Sequence, residues 1–196
     1  LVVPRLFASG TLTVGTRVHT LSEAPAYHDH NWGRWLWGHD FAWEWGFGLP
    51  DRVEMPWSVV FDRTTNRARS QALELTLALW KGEALHRVFT QHEVTVRASG
   101  LLAPRRVPKF PRVMTLIAPE ATPDIPARLD LFAAAGRDHL HCAFIPESVA
   151  QIVIPNDTDL GITIINERPG LLLLEGEVRG ERVAAEGRGI FEFLTC

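Results

Sequence analysis

Strict two-residue alternation predicts an all-β, antiparallel chain folded as a sandwich or a barrel. Three observations carry that expectation. Phe41, Trp43, Trp45 and Phe47 alternate with Ala42, Glu44, Gly46 and Gly48, and a period of two puts successive side chains on opposite faces of a strand. Leu73, Leu75, Leu77 and Leu79 alternate in the same way with Glu74, Thr76, Ala78 and Trp80. Short apolar runs then recur to the end of the chain, separated by Pro, Gly or Asp, the spacing of all-β domains.

The elements follow in order. Residues 10–20 read as a hairpin turning at Gly15-Thr16. Residues 41–48 form a strand with one aromatic face and one nearly bare face that carries Glu44. The turn-rich stretch 50–56 is the expected boundary, dividing the chain into 1–50 and 51–196. Strands are expected at 57–62 and at 73–80, where the period outweighs the helix-forming tendency of Leu, Ala and Glu. Further strands fall at 84–97, 112–117, 127–134, 138–144 and 149–154, with room for one helical turn at 146–151. The last strands are 162–165, 171–177 and 190–194, punctuated by Gly170, Gly180, Gly187 and Gly189. The stretch after the boundary, about 140 residues, suffices for a barrel of eight to ten strands at usual strand lengths.

Composition excludes several classes. The 196 residues suit one large domain, or one complete barrel and part of another. A net charge of −3 gives no footprint for nucleic acid. The one basic cluster, Arg105, Arg106, Lys109 and Arg112, reads as a solvated loop. No apolar run approaches the roughly 20 residues of a membrane-spanning helix, although peripheral membrane contact stays open, with a cytoplasmic or membrane-peripheral location expected. The opening Leu1-Val2-Val3-Pro4 reads like the middle of a strand, so the chain is expected to belong to something longer. Cys142 lies in an apolar strand as a small core residue and Cys196 is terminal, so no disulfide framework is expected. No nucleophile elbow, phosphate-cradling loop or dinucleotide fingerprint is present.

Residues 27–45 carry the chemistry. Five of the seven Trp residues, Trp32, Trp35, Trp37, Trp43 and Trp45, and three of the eight His, His28, His30 and His39, lie there. Clustered indoles beside His, Asp and Asn suggest an apolar cavity wall with a few placed polar groups. In an extended backbone Tyr27, Asp29 and Asn31 share one face, and His28, His30 and Trp32 the other. A carboxyl kept protonated in an apolar pocket is a good general acid.

Tyr27-His28-Asp29-His30-Asn31-Trp32-Gly33 and the Trp-rich strand after it resemble the hydroxyneurosporene synthase (carotenoid 1,2-hydratase) and AttH-like family. The ending from Glu177-Val178-Arg179-Gly180 to Gly189-Ile190-Phe191-Glu192-Phe193 is similar to that family's last hairpin. The resemblance implies tandem lipocalin-like β-barrels, with 1–50 the end of a first barrel and 51–196 the second. It implies a small apolar ligand of isoprenoid or polyene type and no redox cofactor. In the hydratase members a carboxylic acid protonates a terminal isoprene double bond and water captures the tertiary cation. That acid maps onto Asp29, with Tyr27, His28 and His30 as its catalytic neighbours. Asn31, Trp32, Trp35, Trp37, Trp43, Glu44 and Trp45 would line the ligand, and indole faces would stabilise the cation.

Plainer readings stand beside these. The 27–33 motif could be a polar plug satisfying itself at a barrel junction, in a module that binds a lipid-like ligand without turning it over. The aromatic stripe of 41–47 could be simply the core face of its strand, slightly the favoured reading for any one residue. Glu44 on the bare face is then exposed, or a second acid if that face points inward. His28-x-His30 and His139-x-His141 have metal-ligand spacing but no third ligand at a diagnostic distance, so no metal is expected. His86 and His92 are isolated. Oligomeric state stays open.

Overall fold

A computed structural model describes residues 2–34, 41–66, 68, 70–102, 107–117, 125–155 and 162–195. Strands β1 (Val2–Val14) and β2 (Arg17–Asp29) form an antiparallel two-stranded ribbon. Its turn is at Gly15, whose φ of 61° lies in the left-handed region that glycine adopts without cost. The hairpin expected at 10–20 is therefore the tip of a much longer ribbon.

The other strands form one sheet. In chain order they are β3 (Ala42–Pro50), β4 (Trp57–Thr65), β5 (Ala72–Lys81), β6 (Ala84–Thr90), β7 (Val94–Ser99), β8 (Lys109–Phe110), β9 (Arg128–Ala135), β10 (Asp138–Pro146), β11 (Ala150–Pro155), β12 (Ile162–Val178) and β13 (Glu181–Thr195). The paired order is β6-β5-β4-β3-β13-β12-β10-β9-β7. The long β12 pairs β11 through 162–167 and β10 through 170–177. All pairings are antiparallel except the short one between β8 and β11. Strands β6 and β7, joined by a 3-10 turn at Gln91–Glu93, end the path and are not paired to each other. The sheet thus curls around a core without a ladder closing it.

One face of nearly every long strand feeds that core. Phe61 of β4, Leu77 and Leu79 of β5, Phe89 of β6, Leu131 of β9, Cys142 and Phe144 of β10, Leu172 of β12 and Phe191 of β13 are buried together. The two-residue period of 73–80 is a strand, as expected. Burial pushes the Cys142 thiol well above its ordinary range, leaving it an inert core group.

Four expectations are corrected. The run 84–97 is two strands, parted by the Gln91–Glu93 turn. Residues 112–117, rich in Val, Thr and Ile, hold not a strand but the short helix α1 (Val113–Ile117). Local bonds override β-propensity there: Met114 N–H donates to the Pro111 carbonyl, and the Thr115 hydroxyl binds the backbone of Lys109. Residues 146–151 are not helical; Pro146 ends β10 and Ala150 begins β11. The boundary expected at 50–56 falls between two paired strands, since β3 sits in the sheet between β13 and β4. The break between ribbon and sheet lies instead between Asp29 and Phe41.

The faces of β3 are the decisive local feature. A Cβ on Gly46 would come within 2.5 Å of the Phe191 ring, and one on Gly48 within 2.1 Å of Leu172. Both glycines therefore look into the core, and side chains from β12 and β13 fill the space they leave. Trp43, Trp45 and Phe47 consequently point outward, against the reading of that stripe as the core face. Trp43 is still buried, in a second apolar cluster on the outer side with Ile165 and Leu194.

Candidate functional site

The outer face of β3, β4, β5 and β13 carries a groove of 560 Å³, within the usual size of small-molecule sites. Its floor is set by register. Trp45 lies opposite Glu192 on β13 and Asp62 on β4, and Asp62 lies opposite Thr76 on β5. Directly opposed residues share a face, so Glu192, Trp45, Asp62 and Thr76 form one row across the sheet. Trp43, Trp80 and Phe41 add aromatic wall, and Val60 and Ala78 add aliphatic wall. Asp29 and Asn31, from the end of the ribbon, complete the lining with Val2.

The ribbon is held over this face by few contacts. The Tyr27 ring stacks on Phe47 at 4.2 Å between centroids, with 8° between planes, and lies 5.6 Å from Trp45. Its hydroxyl donates to the Asp29 carboxylate at 3.1 Å. The Arg5 guanidinium donates to the Val53 carbonyl in the β3–β4 connection. An isolated two-stranded ribbon is marginal in water, so Tyr27 is the anchor of the site's upper wall. Tyr27→Ala is expected to expose the ribbon to limited proteolysis while leaving the main thermal transition nearly unchanged, and Tyr27→Phe, which keeps the stack, to protect it. Equal cleavage of Tyr27→Ala and the parent chain would remove that role.

The carboxyls are unusual for a surface. Burial pushes the Glu192 carboxyl up to about 7; the Trp43 indole N–H, donating at 2.9 Å, opposes this, while Glu167 and the charge of Asp29 add to it. Burial, with Glu74 adding, lifts Asp62 to about 6. Burial also raises the Tyr27 phenol, as does the adjacent Asp29. Carboxyls whose folded pKa is raised contribute stability fully present below their unfolded values near 4 and lost as pH climbs through about 6 and 7. The melting temperature is therefore expected to fall between pH 5 and pH 8, by about 2–4 °C per kcal/mol lost. Glu192→Gln should flatten the fall; an unchanged slope in calorimetry would contradict the assignment.

The remaining expected site residues are placed as follows. Tyr27 and Asp29 share the groove side of β2, as their alternation requires. His28 lies on the other side of β2, and His30 and Trp32 follow the end of the strand; all three are exposed, Trp32 at 74%, with its ring 5.6 Å from His30. Glu44 is not in the groove. It lies on the inner face of β3, where it accepts from Arg63 at 3.1 Å beside a small cavity lined by Arg168 and Phe193. Trp35 and Trp37, with His39, lie outside the described residues. The His141 Nε2–H donates to the Asp130 carboxylate at 2.7 Å, and its ring stacks on Phe132. Among the described residues no three His, Cys, Asp or Glu side chains gather as metal ligands, and no helix is long and apolar enough to cross a membrane.

Sequence reasoning missed Glu192, Asp62 and Trp80. The signal for Glu192 was present: a lone carboxylate between Phe191 and Phe193 in a strand that buries both. Fold and site together define a curled antiparallel β-sheet protein with an indole- and carboxyl-lined groove on its outer face. No protein-family model, curated protein or solved structure matches the chain.

Proposed function

We propose that the groove binds an apolar, unsaturated ligand of isoprenoid type and that a carboxyl of the Asp29–Glu192 pair protonates one of its double bonds, leading to hydration or cyclisation. The observation that carries this reading is the position of Glu192: a half-buried carboxyl, raised by that burial to about 7, bonded to the Trp43 indole, at the edge of an indole-lined groove. A protonated carboxyl donates; indole faces receive the positive charge that develops. The reading agrees with the resemblance of 27–33 to the carotenoid 1,2-hydratase and AttH-like family, and takes the curled sheet as a lipocalin-like barrel. The core is filled by side chains such as Phe61, Phe144 and Phe191, which favours the groove over the barrel interior as the ligand site.

A second reading is a binding module without turnover. It is favoured by the Tyr27–Asp29 bond, which gives Asp29 a structural task in holding the ribbon's end. One experiment separates the two. The protein is incubated with geraniol, farnesol, geranylgeraniol and squalene in heavy-oxygen water, and followed by native mass spectrometry, tryptophan fluorescence and product analysis. Stoichiometric binding with a Trp shift and heavy oxygen in a tertiary alcohol supports the hydratase. Binding without any product, hydrated or cyclised, supports the module. A folded protein that binds none of the four overturns both.

A further inference from the structure

We infer that Asp62 is the water-side base of the site, facing the donor carboxyl from across Trp45. This rests on the proposed reading of the groove and extends it by dividing the labour between its two walls. The geometry is the cross-strand row. Glu192 and Asp62 are the two direct neighbours of Trp45, one on β13 and one on β4. Their Cα atoms are two strand spacings apart, about 10 Å, with one indole between them. A chain laid along that indole has a carboxyl at each side. Thr64 and Thr76, also in the lining, supply hydroxyls beside Asp62 that can hold a water, whereas Glu192 is beside the Trp43 indole and Asp29.

The step balances. The Glu192–Asp29 wall gives its proton to one alkene carbon; the C–H bond forms as the π bond breaks, leaving a tertiary cation over Trp45. Water on the Asp62 wall forms the C–O bond, and the Asp62 carboxylate takes the proton that this water loses. The net reaction is alkene plus water to tertiary alcohol, and bulk water returns the proton from Asp62 to the donor wall. The charged groups around Asp62 are Glu74 on β5, Glu192 on β13 and Asp29 from the ribbon; Trp45, Trp80, Thr64 and Thr76 are its neutral surroundings. Burial raises both carboxyls, Asp62 with Glu74 adding and Glu192 with Glu167 and Asp29 adding; the division of roles rests on their places on the two sides of Trp45.

The test uses dodecyltrimethylammonium, which mimics an alkyl cation, and dodecanol, its neutral counterpart, each titrated below its micelle or solubility limit with tryptophan fluorescence as readout. The cation is expected to bind the intact protein more tightly as pH rises through about 6. Asp62→Asn should weaken cation binding about tenfold and erase that step, leave dodecanol unchanged, and be rescued by Asp62→Glu; the melting curves of both variants report that the fold is kept. Equal loss for both probes assigns Asp62 a merely structural place in the wall and overturns the inference. So does cation binding that Asp62→Asn leaves unaltered. Binding of neither probe by the parent chain overturns the apolar-groove reading itself, and the inference with it.

Discussion

Phe191→Ala is expected to cost about 3–5 kcal/mol of stability, the range for removing a fully buried aromatic ring. Phe191 is 1% exposed. Its ring stacks on Phe144 at 4.3 Å and on Phe61 at 6.1 Å between centroids, so it joins β4, β10 and β13 across the core. It also fills the space that Gly46 leaves on β3. Truncation opens a void bounded by three strands that are hydrogen-bonded to other neighbours and cannot collapse into it. Chemical denaturation measures the loss. The same geometry predicts coupling. Gly46→Ala alone forces its methyl into the ring and destabilises, by about 1–3 kcal/mol as overpacking does. In combination with Phe191→Leu its cost should shrink, because the smaller side chain makes room. Additive losses in the double-mutant cycle would mean that Gly46 and Phe191 do not share that space.

Glu192→Gln and Asp29→Asn are each expected to lower turnover of an isoprenoid alkene by about 10²–10⁴-fold, the usual contribution of a positioned general acid. Both substitutions keep side-chain size; Glu192→Gln removes the transferable proton and Asp29→Asn the carboxylate whose charge helps to keep it there. Ligand affinity, followed by tryptophan fluorescence, should change little, because the groove's apolar walls remain. The double variant should be scarcely worse than the poorer single one, since groups that act on one proton fail as a unit. Asp29 has a second task, accepting from Tyr27 at 3.1 Å. If Asp29→Asn loses thermal stability but keeps turnover, that bond is its whole role. If Glu192→Gln keeps turnover, the donor is not Glu192, whatever its protonation state.

The pH behaviour of the two halves of the molecule should differ. On the groove side, raised carboxyls lose stability as pH rises. On the opposite flank Asp130 is held below its ordinary range, first by its bond to Arg128, with His141 adding. Its contribution is present above the unfolded value and fades as pH falls through the folded one. The pair is partly solvated, so this term is small beside the groove's.

Much of the architecture was legible because periodicity is a local property. A period of two in 73–80 can only be satisfied by a strand whose Leu75, Leu77 and Leu79 share a face, and they do. The same logic put Tyr27 and Asp29 on one side of their strand and His28 on the other. The alternation in 41–48 was equally plain, yet it did not say which face is inside. An aromatic stripe and a glycine stripe are equally periodic. The choice depends on volume supplied from elsewhere: Phe191 and Leu172, far along the chain, occupy the room over Gly46 and Gly48, and that turns Trp43, Trp45 and Phe47 outward. Register made the site. Glu192 and Asp62 are 130 positions apart in sequence, and only the pairing of β13 and β4 with β3 brings both beside Trp45. The sequence by itself determined the strands with a clear period of two, their alternating faces and the polar-aromatic motif at 27–33. Tertiary structure decided the inward face of β3, the burial that raises the Glu192 carboxyl, and the joining of three carboxyls in one groove, because each of these depends on packing between residues that no local pattern relates.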